Sequence, residues 1–136
     1  MSDFTIGADL AVAQMAATIA FADAASGPSV VRFYTTDPPS GSPQVEIPLD
    51  KPCATIVGYE AFLNPDPSAV PMVLTDGIPL IAVWSRSDDK LVASGIVSDD
   101  LGTAPWKIEG GTTEPGETSP TLQAGGLIIL GPLQFF

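Results

Sequence analysis

The chain has 136 residues, of which 45% are apolar and only 15% charged, and it carries 16 acidic side chains against five basic ones, with no histidine. The apolar content excludes a disordered chain, and 27 scattered Pro and Gly residues exclude an all-helical one. A net charge of −11 opposes binding to nucleic acid through phosphates and docking to an anionic membrane. A single cysteine, Cys53, cannot form an internal disulfide.

In chain order, an alanine-rich segment from Ala8 to Ala25 predicts the one helix. Val12, Met15, Ala16 and Ile19 follow i, i+3, i+4, i+7 spacing and predict its apolar stripe. Gly27-Pro28 is the predicted stop. The segment contains Asp9, Gln14, Thr18 and Asp23, and Met1-Ser2-Asp3-Phe4 lacks the basic start of a secretory signal, so synthesis and folding in a cytoplasm are expected.

Beyond Pro28 the texture is β. Ser29 to Thr36 is rich in Val, Thr and aromatics and predicts a strand. Val45, Ile47 and Leu49 alternate with Gln44, Glu46 and Pro48, the pattern of an edge strand with one buried face. Cys53 to Val57 predicts a further short strand, continuing past a kink at Gly58 into Tyr59 to Leu63. Asn64-Pro65-Asp66-Pro67 is a turn, Ala69 to Leu74 a strand candidate weakened by Pro71, and Asp76-Gly77 a tight-turn pair. Leu80 to Arg86 and Leu91 to Ser98, joined at Ser87-Asp88-Asp89-Lys90, predict a hairpin. Trp106 to Glu109 is a short strand, Gly110 to Pro120 a polar acidic loop, and Leu127 to Phe136 a closing apolar strand bent at Gly131-Pro132. One helix and seven to nine short strands predict a mainly β fold: a β-sandwich or jelly-roll-like domain carrying one N-terminal helix. Residues 1–28 form the helix and its cap, and 29–136 the sandwich, within a single domain.

Chemistry-bearing patterns are few. Without histidine, Ser-His-Asp and Cys-His arrangements are impossible, and a lone cysteine cannot build a thiolate zinc site. Lys51, two positions from Cys53, is the one cation placed to activate it, but a cysteine within Cys53-Ala54-Thr55-Ile56-Val57 reads better as a small buried hydrophobe. Asp88-Asp89 and Asp99-Asp100 sit at opposite ends of one predicted strand, roughly 25–30 Å apart, too far for a glycosidase pair, which needs about 5–10 Å. Either pair could help bind calcium together with loop carbonyls, but no EF-hand spacing surrounds them, and the plainer reading is solvated turn residues. Phe33, Tyr34, Tyr59, Phe62, Trp84 and Trp106 are the candidates for a sugar-stacking platform, set against a plain core role for Phe33 and Trp84. No catalytic, cofactor or metal residues emerge, and no enzyme is expected.

The order of segments resembles small structural proteins of tailed bacteriophages and prophages. The resemblance lies in the alanine-rich helix, then Gly27-Pro28-Ser29-Val30-Val31-Arg32-Phe33-Tyr34, the hairpin Ala82 to Val97, and the final strand Gln123-Ala124-Gly125-Gly126-Leu127-Ile128-Ile129-Leu130. It is a pattern over most of the chain and not a signature motif, and the proline-rich stretch from Lys51 to Leu74 departs from it. It implies a virion protein, a head decoration or cement protein bridging capsid subunits or a tail, collar or fibre component. Its implied partners are the major capsid protein, other virion proteins and further copies of itself, with neither nucleic acid nor membrane. The expected contact residues are Val12, Met15 and Ile19 on the helix and Leu133, Phe135 and Phe136 at the end of the chain.

Overall fold

A computed structural model describes residues 5–69, 72–99 and 101–131. The chain is mainly β, with one N-terminal helix and a seven-stranded sheet nearly closed into a barrel-like sandwich. The elements are α1 (Ala8–Ala22), β1 (Val30–Tyr34), β2 (Val45–Val57), β3 (Glu60–Pro65), β4 (Ile81–Ser85), β5 (Leu91–Ser98), β6 (Trp106–Glu109) and β7 (Ile129–Leu130). Their order across the sheet is β3-β2-β1-β4-β5-β6-β7. Every pairing is antiparallel except β5 with β6.

Period-two alternation builds the core. Val31 sits between Ile47 and Trp84, and Phe33 between Val45 and Ala82, so six inward side chains from three strands form one layer. All six are buried. The opposite face of the same strands carries Arg32 and Glu46, paired at 3.0 Å. Trp84 donates its indole N–H to Ser29 Oγ at 3.1 Å, which satisfies the ring's polar edge in the interior. Trp106 meets Trp84 edge to face, with centroids 6.3 Å apart and planes at 87°.

Several expected strands differ in the structure, and the kink expected at Gly58 is a reversal, with β2 and β3 paired as an antiparallel hairpin across it. Val45–Leu49 and Cys53–Val57 belong to one strand, β2, whose pairing with β3 slips between Leu49 and Ala54. The slip gives Lys51-Pro52 room between ladder positions. Nor is this an edge strand, since β1 pairs on one side and β3 on the other. Pro48 is tolerated because its carbonyl, and hence its missing N–H, faces the frayed end of β3, where Asp66 N–H donates to Pro48 O at 2.9 Å. Within 69–74, the described residues show a single bridge from Met72 to Leu127. Asp76-Gly77 is no hairpin turn: Gly77 exchanges two hydrogen bonds with Leu122, at 3.0 and 2.8 Å. The expected hairpin is present as β4–β5. Of the closing strand, β7 is in place and residues 132–136 lie outside the described residues.

The helix ends at Ala22, three residues before the expected extent. Asp23 caps it and turns its carboxylate to accept the Cys53 N–H at 3.0 Å, while Lys51 Nζ donates to Ala25 O at 2.7 Å. The chain is thus drawn off the helix axis onto β2. The fully buried helix residues are Ala11, Met15 and Ala22; of the expected stripe Met15 is buried, Val12 and Ile19 are half-buried and Ala16 is exposed. Alanines let the helix axis approach the sheet closely, and Ala22 joins the core cluster with Ile19 packed beside it.

Candidate functional site

The residues with chemical potential are occupied structurally. The Cys53 thiol is fully buried, and its Sγ lies 3.9 Å from Ile19 O. Burial, and after it the neighbouring Asp23 carboxylate, push its pKa up to about 12. Lys51, the cation two positions away in sequence, donates to Ala25 O instead. Asp88 binds Arg86 at 2.9 Å, and Asp99 accepts the N–H groups of Leu101 and Gly102 at 3.0 and 3.1 Å, the side-chain turn bonds that aspartate favours. Asp100 lies outside the described residues. No group of three or more His, Cys, Asp or Glu side chains converges among the described residues. Of the aromatic candidates, Trp84 is 0% and Trp106 3% exposed, so neither ring offers a face to a sugar. Phe33 is likewise buried.

What the surface does present is apolar. The tip of the β2–β3 hairpin is one such place. Val57, Thr55 and Phe62 lie on its outer face by register, and Tyr59 stands in the two-residue turn. Gly58 begins that turn at φ 62°, the left-handed geometry a tight hairpin needs. Val57, Tyr59 and Phe62 are all exposed, while Ala54, Ala61 and Leu63 on the other face are buried.

A second and larger face forms beside β7. Met72 pairs with Leu127 across an antiparallel bridge, and Val73 holds the segment in place through bonds to Gly125 and Gly126, both 2.8 Å. Alternation then puts Met72, Leu74, Leu127 and Ile129 on one side and Val73 and Ile128 on the other. The inner pair is buried, whereas the outer four are 45%, 58%, 58% and 64% exposed. A cleft of about 170 Å³ lined by Val73, Gly111, Thr112, Leu122 and Leu127 borders this face. It is smaller than the roughly 300–1,000 Å³ typical of small-molecule sites.

Two residues of the β2–β3 tip, Tyr59 and Phe62, were already aromatic candidates in the sequence, whereas the face beside β7 was missed because it depends on long-range register. Leu127 and Ile129 belong to a run that reads as uniformly apolar, and nothing local reveals that Met72 will pair there. Conversely, the expected helix contacts are spent within the chain. Met15 is fully buried, and Ile19 packs on the core, because the helix must cover the sheet; Val12 is half-buried. Leu133, Phe135 and Phe136 lie outside the described residues. No helix among the described residues is long and apolar enough to cross a membrane. No protein-family model, curated protein or solved structure matches the chain.

Proposed function

We propose that this protein is a structural subunit that works by contact, and that it belongs to the particle of a tailed bacteriophage or prophage. The observation that carries the contact role is the four-residue apolar face of Met72, Leu74, Leu127 and Ile129, held outward on a paired backbone. Scattered exposed apolar residues are ordinary on a monomer, but a contiguous set on ordered backbone marks an interaction surface. The particle assignment rests on the resemblance in segment order and on charge. A chain of net charge −11 with 15% charged residues suits an outer surface away from packaged DNA.

In this reading the protein is a head decoration or cement protein. It bridges capsid subunits by burying apolar faces at their junctions, alongside further copies of itself, and uses no cofactor or catalytic residue. A tail, collar or fibre position is the second reading, favoured by the projecting β2–β3 tip with Val57, Tyr59 and Phe62. Electron microscopy of particles assembled without the protein distinguishes the two. Heads that assemble but burst on heating are the expected result. Stable heads lacking a tail or collar would transfer the role to the second reading, and particles unchanged in both respects would overturn the proposal.

A further inference from the structure

The face beside β7 has a charge setting that narrows its occupant. Glu109 stands directly opposite Ile129 in the β6–β7 pairing and so shares its side. Asp76 lies at the Leu74 end, its carboxylate accepting Ala124 N–H at 2.7 Å. The loop carrying Glu114 and Glu117 is rooted at the Thr112–Thr121 bridge, and Thr112 lines the same cleft as Leu127. Against these stands Lys107, two residues from Glu109 on the same strand.

Elsewhere the basic side chains are largely committed. Arg32 is held by Glu46 at 3.0 Å, Arg86 by Asp88 at 2.9 Å, and Lys51 by a backbone carbonyl. The field outside the molecule is therefore that of excess carboxylate. Two copies meeting through this face would bring together acidic rims on bodies of charge −11 each, with only Lys107 of each copy, which shares the Glu109 side of β6, to offset them. A neutral apolar partner would leave Glu109, Asp76 and the loop of Glu114 and Glu117 with Lys107 as their one nearby cation and no counter-charge from the partner.

We infer that the face of Met72, Leu74, Leu127 and Ile129 docks on a different protein whose apolar patch is rimmed by lysine and arginine. The inference rests on the contact role proposed above but not on the particle assignment. Homotypic contacts belong to another face of the molecule.

Two synthetic peptides of alternating sequence, one leucine–lysine and one leucine–glutamate, probe this in the full-length protein by fluorescence anisotropy. The wild type binds the leucine–lysine peptide and not the leucine–glutamate one. The quadruple variant M72S/L74S/L127S/I129S, which keeps every charge, binds it at least tenfold more weakly. A control pair on β5, L91S/I96S, binds like wild type. Glu109→Lys, which leaves the apolar face intact, weakens binding severalfold and supplies the test should the quadruple variant fail to fold. Sedimentation velocity gives the same oligomeric state for wild type and quadruple variant. Equal peptide binding by the wild type and the Ser or Lys variants would overturn the inference, as would equal affinity for both peptides. Loss of a wild-type oligomer in the quadruple variant would overturn it in favour of a second copy. The particle experiment and the peptide experiment fail independently, so each reading can fall alone.

Discussion

Cys53 has its thiol between the end of α1 and strand β2, fully buried and beside the Asp23 carboxylate. Both surroundings penalise the thiolate, burial more than the carboxylate, and the pKa rises from 9.0 to about 12. An aromatic disulfide reagent at pH 8 therefore leaves the native protein unlabelled and takes one thiol per chain after unfolding in urea. The stability this group adds is complete below its unfolded pKa and is lost as pH climbs through the folded one. Urea midpoints of the wild type should accordingly fall relative to Cys53→Ala as pH rises above about 9. Asp89 makes a different local demand. It occupies φ 67° in the β4–β5 turn, where a β-carbon is strained. Asp89→Gly should be neutral or stabilising, while Asp89→Val should cost about 1–2 kcal/mol, read from denaturant midpoints. Ser29→Ala should cost about 1–3 kcal/mol by leaving the Trp84 N–H buried without an acceptor.

At the scale of elements, the β5–β6 pairing is the arrangement least accessible to sequence reasoning. Two parallel strands normally need a crossover of a dozen or more residues. Here residues 99–105 suffice because only Val97–Trp106 and Ser98–Lys107 pair. Gly95 makes this possible: a β-carbon there would lie 2.9 Å from the Pro105 ring and 3.2 Å from Trp106. Gly95→Ala should cost about 1–3 kcal/mol through overpacking and should change the near-ultraviolet signal of the paired tryptophans. The segments with clean alternation, β1, β4 and the Val45–Leu49 half of β2, were legible as strands because each buries one face, whereas the union of that half with Cys53–Val57 and its interior place in the sheet were not. The helix was legible as an element and its buried stripe in part, through Met15 and Ile19, but Ala11 and Ala22 carry little hydrophobic signal and yet are fully buried. That packing also means removal of the helix opens the core at Ala22 and Ile19, and an intact isolated sheet is not expected.

The whole molecule combines a filled interior with a surface poor in charge and uneven in polarity. Fold class was legible because turn residues and short alternating runs recur along the chain. The face beside β7 was not, because Met72 and Leu127 lie 55 positions apart and adjoin only once the sheet curls. The helix and the chain end were the natural candidates from sequence, as terminal apolar segments often are. The helix instead spends Ala11, Met15 and Ala22 on its own sheet, with Ile19 packed beside them, and leaves Leu10 and Phe21 exposed. The four exposed residues beside β7 carry no evident fold-level duty, so M72S/L74S/L127S/I129S should keep its denaturant midpoint within about 2 kcal/mol of wild type while losing its contact. Quantitative mass spectrometry of purified particles from cells producing the wild-type and quadruple-variant chains tests the contact-making virion role most directly. Many wild-type copies per particle, falling sharply for a variant that remains folded and abundant in the same cells, is the predicted result. Particles free of the wild-type chain, or equally loaded with the variant, would contradict the account.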